Sequence, residues 1–172
     1  MNIQDRREIS REYFSRERLA EHHFRSFNAF LNRGMQEVVD EKATIETDIG
    51  DKEGEEPVYV ELGDVRVVTP RVREADGSEE LLYPQEARLR NITYAAPVFM
   101  EMAIIKGGEE EEERVVDQTE TKIGRMPVMV GSDKCNIAGF TREELIDIGE
   151  DPADPGGYFI VNGSERVLMT SE

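Results

Sequence analysis

The strongest local signal in this sequence is the segment Gly156-Gly157-Tyr158-Phe159-Ile160-Val161-Asn162-Gly163-Ser164-Glu165-Arg166-Val167-Leu168-Met169. Two apolar runs flank Asn162-Gly163, and this dipeptide favours a type I′ hairpin turn because Asn and Gly tolerate positive φ. The run from Tyr158 to Val161 lacks polar alternation, which predicts a strand buried on both faces. We therefore expect Ser164, Glu165 and Arg166 at the tip of a rigid hairpin.

A second clear signal lies directly before this segment. Thr141 and Glu144 have the spacing of a helix capping box, so a helix is predicted to begin after Thr141 and to end at Gly149. The next run, Asp151-Pro152-Ala153-Asp154-Pro155-Gly156-Gly157, is rich in turn formers. It predicts a stiff turn that leads into the hairpin.

The N-terminal part shows helical periodicity. The first ten residues are charged and are expected to fray, while Ser15 and Ser26 are each expected to begin a helix. After Ser26 the apolar residues fall on one helical stripe, which ends near Asp40. The members of this stripe are Phe27, Phe30, Leu31, Met35, Val38 and Val39.

The middle of the chain is strand-like. Apolar residues at 58, 60, 62, 65 and 67 share one face if Gly63-Asp64 forms a two-residue type II′ turn. A short helix is expected after Pro84, because Pro suits the first helical turn. Further strands are predicted over 43–49, 91–106 with an interruption at Pro97, 115–123 and 126–130, and polar loops over 51–56, 74–80 and 107–113. This order predicts an α+β fold with N-terminal helices packed on mostly antiparallel strands, without a domain boundary inside residues 1–172.

The charge balance is strongly acidic, with 38 Asp and Glu against 21 Lys and Arg and a formal net charge of -17. One interpretation is a soluble acidic protein that avoids nucleic acid. The other is a protein that works in concentrated salt, where a Debye length of about 3 Å at 1 M screens the repulsion between carboxylates. We favour the second, because the acidity is spread along the chain and Arg outnumbers Lys. Under it, the net charge does not argue against a nucleic-acid partner.

Several features bear on the compartment. No apolar run reaches the roughly 18 residues that would indicate a membrane span, and the charged N-terminus has no apolar stretch typical of a secretory signal. The single cysteine, Cys135, excludes an internal disulfide and a Cys-rich zinc site. We expect a cytoplasmic protein without membrane association.

No complete active site is indicated. His22 and His23 would point about 100° apart on a helix and could not easily share a metal. Cys135 has no neighbouring base motif and is predicted to be a small buried hydrophobe. Asp151 and Asp154 each precede Pro, so turn formation explains them better than metal binding. Phosphate-loop, G-x-G-x-x-G and nucleophile-elbow patterns do not occur.

Three arginines are candidates for contact with phosphate. Arg88 and Arg90 flank Leu89, but ion pairing with nearby carboxylates explains them at least as well. Arg166 is the stronger candidate because it follows a rigid turn, and an Arg placed there can make bidentate contacts with phosphate.

Four motifs and one helix carry a resemblance to a known family. The motifs are Tyr83-Pro84-Gln85-Glu86-Ala87-Arg88-Leu89-Arg90-Asn91-Ile92-Thr93-Tyr94, Ile123-Gly124-Arg125-Met126-Pro127-Val128-Met129-Val130, Ser132 to Cys135, and Gly156 to Val167; the helix contains Ser26-Phe27-Asn28-Ala29-Phe30. They resemble, in the family's order, the N-terminal part of the second-largest subunit of multisubunit DNA-directed RNA polymerase. The likeness covers roughly Leu19 to the end. It is closest to the archaeal and eukaryotic forms of this subunit, and of these we choose the archaeal one. The acid-rich, Lys-poor composition resembles that of the same subunit in a halophilic archaeon.

The resemblance implies a protrusion-like fold that forms a wall of the DNA cleft. Residues 1–172 would be the N-terminal part of the protrusion domain, and we expect the rest of the subunit to follow Glu172. Asn162, Ser164 and Arg166 would bind nucleic acid near the RNA–DNA hybrid. The family's catalytic Mg²⁺ is held by the largest subunit, so no cofactor is expected in this chain. The implied partners are the largest subunit, the remainder of the second-largest subunit, the DNA template and the hybrid.

An alternative remains open at this level. The net charge and the missing active site are also compatible with a free-standing acidic protein-interaction domain without catalysis. A metal-dependent hydrolase built on Asp151, Asp154 and His23 lacks any supporting spacing.

Overall fold

The computed structural model of the chain describes residues 2–16, 20–47, 57–107 and 114–169. It divides into two compact units: the first comprises Met1–Asn28, Pro70–Tyr94 and Pro127–Glu172, and the second comprises Ala29–Thr69 and Ala95–Met126. Because each unit is assembled from separate stretches of chain, no single position in the sequence divides them.

The described residues contain helices and antiparallel strands, which confirms the predicted α+β class. The α-helices are α1 (Ile3–Arg16), α2 (Glu21–Ala29), α3 (Met35–Asp40), α4 (Pro84–Leu89) and α5 (Arg142–Asp147). The strands are β1 (Thr44–Glu46), β2 (Val58–Val67), β3 (Arg71–Arg73), β4 (Glu79–Leu81), β5 (Ala95–Lys106), β6 (Arg114–Pro127), β7 (Phe159–Val161) and β8 (Ser164–Arg166). No helix within these ranges is long and apolar enough to cross a membrane.

The predicted helix starts were wrong at the N-terminus. Helix α1 begins at Ile3, where the Asp5 amide donates to Asn2 Oδ1 over 2.8 Å and the Asn2 amide donates to Asp5 Oδ2 over 2.9 Å. This reciprocal cap satisfies amide groups that the first turn leaves open, and residues 3–10 are helical. Ser15 lies inside α1 and Ser26 lies inside α2, and neither begins a helix.

The apolar stripe after Ser26 is only partly buried. Phe27 is buried, whereas Phe30 and Val38 are 44% and 60% exposed. A five-residue π turn, Phe30–Gly34, precedes α3 and departs from the α-helical period on which the predicted stripe is based. The helical segment ends at Asp40 as predicted.

The second unit contains a four-stranded sheet in the order β1-β2-β5-β6. Strands β2 and β5 pair antiparallel from Val58↔Lys106 to Val67↔Val98. The predicted type II′ turn at Gly63-Asp64 was wrong, because β2 continues through both residues. The register shifts between Leu62 and Val65, so that Gly63-Asp64 forms a β-bulge against β5. The bulge keeps residues 58, 60, 62, 65 and 67 on one face, as predicted.

Helix α3 explains why the chain continues here rather than turning. The Val65 amide donates to Gln36 Oε1 over 2.9 Å, and Gln36 Nε2 donates to the Gly63 carbonyl over 3.4 Å. One side chain on the neighbouring helix therefore satisfies backbone groups that the bulge removes from the ladder.

Other strand bounds also differ from the prediction. Pro97 does not interrupt β5, because it lies beyond the last β2 pair and its carbonyl accepts from the Val68 amide over 3.3 Å. The predicted loop over 74–80 includes the start of β4, which pairs with β3. Residues 128–130 are buried but follow β6 outside any regular strand. The predicted loop over 51–56 and most of the loop over 107–113 lie outside the described residues.

The first unit is built around a compact apolar core. Its buried members include Phe24, Phe27, Leu82, Ala87, Tyr94, Val128, Met129, Val130, Phe159 and Ile160. The predicted capping box is confirmed, since Thr141 and Glu144 exchange both hydrogen bonds at the start of α5. The predicted helix after Pro84 is confirmed as α4.

Candidate nucleic-acid interface

The predicted C-terminal hairpin is confirmed. Strands β7 and β8 pair antiparallel, from Phe159↔Arg166 to Val161↔Ser164. Asn162 and Gly163 form the two-residue turn with φ values of 51° and 76°, as a type I′ turn requires.

The first strand of the hairpin is anchored in the core. Tyr158, Phe159 and Ile160 are buried, which confirms the prediction for three residues of the run, whereas Val161 is half-buried. The Ile160 carbonyl accepts from the Tyr94 amide over 3.0 Å, and Phe159 packs edge-on against Phe27 with ring centroids 5.2 Å apart. These contacts give the short hairpin the tertiary support that an isolated one lacks.

The turn is held against the segment that precedes β5. The Gly163 amide donates to the Ile92 carbonyl over 3.1 Å, and the Asn162 amide donates to Thr93 Oγ1 over 3.1 Å. Thr93 Oγ1 also lies 3.2 Å from Asn162 Oδ1, to which it donates. The Asn162 side chain is thus engaged in fixing the turn through its oxygen.

Strand alternation separates the residues that follow the turn. Ser164 and Arg166 lie on one face of β8, and Glu165 lies on the other. All three are exposed. Within the part of the chain that the structure describes, the Arg166 side chain has no ion-pair partner. The structure therefore brings Ser164 and Arg166 to the same side of the hairpin, with Asn162 at its turn.

The opposite face meets a cluster of charged side chains around Arg88, which we call the Arg88 cluster: Arg88, Glu150, Asp154, Tyr158 and Glu165. Arg88 Nε donates to Glu165 Oε1 over 2.9 Å, and Nη1 donates to Glu150 Oε2 over 3.2 Å. Nη2 donates to the Tyr158 hydroxyl and lies 3.5 Å from Asp154 Oδ2. Arg88 is thus paired with carboxylates. Of the two interpretations that the sequence left open, contact with phosphate and ion pairing, the structure supports ion pairing.

Glu150 is the residue of this cluster that sequence reasoning missed. It is 6% exposed, and its Oε1 accepts from the Gln85 amide over 2.6 Å in the first turn of α4. The carboxylate caps one helix while it neutralises Arg88, so its burial is compensated. The local signal in the sequence is that Glu150 follows Gly149. This position does not identify Arg88, 62 residues away, as the partner of Glu150.

Tyr158 links the cluster to the turn before the hairpin. Its hydroxyl donates to Asp154 Oδ2. Burial raises the pKa of Tyr158 well above its usual value, and the hydrogen bond to the Asp154 carboxylate raises it further. The phenol therefore stays neutral and keeps donating across the physiological range.

Arg90 is also an ion-pair residue. Its Nη1 lies 2.6 Å from Glu74 Oε1 and 2.7 Å from Glu86 Oε1. Glu86 lies on α4, and Glu74 follows β3. Of the three arginines considered from the sequence, Arg166 alone keeps a guanidinium without a carboxylate partner among the described residues.

The remaining chemical candidates make local contacts. His22 and His23 are neighbours with ring centroids 4.1 Å apart on α2. Cys135 is buried as predicted and lies 3.3 Å from the Tyr94 hydroxyl. Asp151 and Asp154 accept from the Ala153 and Gly156 amides over 2.8 Å, which are the predicted turn contacts. No group of three potential metal ligands converges in the described ranges.

Comparison with known proteins places the chain in a family. A family model described as RNA polymerase beta subunit matches residues 18–172. The DNA-directed RNA polymerase subunit Rpo2N of Halobacterium salinarum is 83% identical over 169 residues, which are 98% of this chain and 32% of that protein. Rpo2N of Methanocaldococcus jannaschii is 45% identical over 168 residues, 96% of this chain and 32% of that protein. Rpo2 of Saccharolobus solfataricus is 42% identical over 172 residues, 100% of this chain and 14% of that protein.

These matches define the class of protein: the chain belongs to the RNA polymerase beta subunit family. Within that family it corresponds to the N-terminal part of the archaeal second-largest subunit, which confirms the resemblance drawn from the sequence. The chain spans about a third or less of the length of the three relatives described above.

Proposed function

We propose that this chain serves as part of the second-largest subunit of a DNA-directed RNA polymerase in a halophilic archaeon. It acts as a scaffold in a wall of the DNA cleft and contributes contacts near the RNA–DNA hybrid, while the catalytic Mg²⁺ is held by the largest subunit. The family match and the names of the archaeal relatives support the assignment to the polymerase subunit. They do not favour the alternative of a free-standing acidic interaction domain.

One observation carries the nucleic-acid part of the proposal. Arg166 is exposed on a hairpin docked to the core, and it has no carboxylate partner among the described residues of a chain whose net charge is -17. Arg88 and Arg90, by contrast, are neutralised by neighbouring carboxylates. A guanidinium on a docked hairpin can bind phosphate well, because it offers two parallel N–H donors in a fixed geometry.

The residues around Arg166 fit the same role. Ser164 lies on the same face of β8 and offers a hydroxyl that can donate to a phosphate oxygen. Asn162 fixes the turn through its oxygen and retains amide hydrogens for contact with nucleic acid. We propose these three residues as the nucleic-acid-binding set.

The acidic composition constrains how such contacts work. In molar salt the Debye length falls to about 3 Å, and binding through released counterions weakens steeply. Short hydrogen-bonded contacts from a preorganised site then matter more than a broad basic surface. An Arg on the docked hairpin that has no carboxylate partner among the described residues is consistent with this regime.

The test of the contact uses the assembled polymerase. Arg166→Ala should shorten the lifetime of elongation complexes in molar KCl and reduce the slope of log lifetime against log salt by about 0.9, the value for one lost phosphate contact. Arg90→Ala is the matched control, because it removes an exposed Arg that already has two carboxylate partners. An unchanged lifetime and slope in Arg166→Ala would remove Arg166 from the proposed set.

The proposed partners are testable separately. Purification of the native protein from cell extract should bring down the largest polymerase subunit and the remainder of the second-largest subunit. Recovery of a lone monomer would contradict the proposed assembly. The cytoplasmic location expected from the sequence belongs to the same proposal.

A further inference from the structure

The Arg88 guanidinium uses all three of its nitrogens to join separate segments of the first unit. Nε binds Glu165 on β8, Nη1 binds Glu150 after α5, and Nη2 binds Tyr158 just before β7. Arg88 itself lies on α4 and its side chain is only 19% exposed. One planar group therefore ties α4 and the segment after α5 to both strands of the hairpin.

Glu165 is the point where this cluster reaches the outer strand. Strand β7 is anchored by its buried side chains and by the bond from the Tyr94 amide. For β8, the contact between Glu165 and Arg88 is the only side-chain hydrogen bond or ion pair with the rest of the first unit among the described residues. The orientation of β8 thus depends on β7 pairing and on Arg88.

Because side chains alternate along a strand, the contact between Glu165 and Arg88 also determines which face Arg166 occupies. With Glu165 held on one face, the residues on either side of it, Ser164 and Arg166, must present the other face. A strand of three residues has little stiffness of its own, so release of Glu165 would allow β8 to twist or fray.

We infer that Arg88 is a positioning residue that acts through Glu165 to hold Arg166 in the orientation needed for contact with nucleic acid. This inference rests on the proposed function. The contact geometry also explains why Arg is required at position 88, since a Lys ammonium is a point charge and cannot satisfy three partners in a fixed fork.

The test uses the assembled polymerase with Glu165→Gln as the main variant. Glu165 is 56% exposed on its side chain, and its replacement leaves the buried pair between Arg88 and Glu150 intact, so folding is preserved. Arg88→Lys is the second variant and Arg90→Lys is the matched control. Arg166→Ala and the double variant Glu165→Gln/Arg166→Ala complete a double-mutant cycle.

Two readouts separate the inference from the function on which it rests. Hydrogen exchange of the peptide covering 162–169 should quicken roughly two- to five-fold in Glu165→Gln, and at least as much in Arg88→Lys. It should not change in Arg90→Lys or in Arg166→Ala. Elongation-complex lifetime should fall by a similar factor in Glu165→Gln, and the double variant should match Arg166→Ala alone.

Each other outcome has a distinct meaning. Unchanged exchange in Glu165→Gln and Arg88→Lys overturns the inference, and so do additive effects of Glu165→Gln and Arg166→Ala on lifetime. If Arg166→Ala alone leaves the lifetime unchanged, the proposed contact fails, and the inference fails with it. An unchanged lifetime in Arg166→Ala can be distinguished from the first two outcomes, because this variant leaves the Arg88 cluster intact.

Discussion

Replacement of Gly163 by Ala tests how the hairpin turn is docked. Gly163 has a φ of +76°, and a Cβ added there would lie 2.8 Å from both Asn91 Cα and Asn91 Oδ1 and 3.1 Å from the Arg88 carbonyl oxygen. Gly149 offers a matched comparison, since its φ is +81° and a Cβ there would meet nothing within 4 Å. The two positions thus share the backbone penalty and differ in the close contact.

The magnitude follows from these two terms. An L-residue at positive φ costs about 1–2 kcal/mol, which is the expected loss of unfolding free energy for Gly149→Ala. Gly163→Ala carries the same penalty and also forces backbone atoms apart, which adds about 1–3 kcal/mol. Asn91 Cα and the Arg88 carbonyl oxygen are backbone atoms, so they cannot move aside as the Asn91 side-chain oxygen could.

The assay is urea unfolding at fixed molar KCl, followed by tyrosine fluorescence, since the chain has 5 Tyr and no Trp. Gly163→Ala should lower the midpoint more than Gly149→Ala does, with the same dependence of free energy on urea. Equal losses in the two variants would refute the close docking of the turn. In assembled polymerase, Gly163→Ala should also shorten elongation-complex lifetime, because it displaces the strand that carries Arg166.

Two further predictions concern the Arg88 cluster. Glu150→Gln keeps an acceptor for the α4 amide but removes the buried negative charge beside Arg88, so about 1.5–3 kcal/mol of stability should be lost. The exposed pair removed by Glu86→Gln should cost less than about 1 kcal/mol, and equal urea midpoints for the two variants would contradict the assignment of Glu150. The raised pKa of Tyr158 means that folding favours its neutral form, so this stabilisation is complete below pH about 10 and is lost as pH rises further towards the folded pKa. Tyr158→Phe should therefore flatten the alkaline fall in stability in urea titrations, and an undiminished fall would exclude this role.

Local signals predicted the elements whose determinants lie close together in the chain. The Asn162-Gly163 turn, the Thr141 capping box and the helix after Pro84 all formed as expected. In each case a few neighbouring residues fix the backbone angles or satisfy the open amide groups. Distant contacts, such as the Glu150 carboxylate at the start of α4 and the Tyr94 amide at β7, add support to elements that the local sequence already predicts.

The failures occur where a distant group competes with a local signal. Gly63-Asp64 has the composition of a hairpin turn, but Gln36 from α3 supplies hydrogen bonds that make a bulge the better solution. Pro97 was expected to interrupt the strand because proline has no amide hydrogen. It lies beyond the last residue pair of β2 and β5, so the hydrogen bonds between these two strands are intact. The residues near Gly63-Asp64 do not reveal the hydrogen bonds from Gln36. The residues near Pro97 do not reveal where the pairing with β2 ends.

The sequence by itself determined the hairpin, its type I′ turn and the family resemblance, because these depend on short motifs with fixed spacing. It also singled out Arg166 on the grounds of its position after the turn. Only the tertiary structure decided that Arg88 and Arg90 are neutralised, and that Arg166 has no carboxylate partner among the described residues. The physical reason is that an ion pair depends on the distance between two groups in space and not on their separation in the sequence. Glu150 and Glu165 contact Arg88 although they lie 62 and 77 residues from it along the chain.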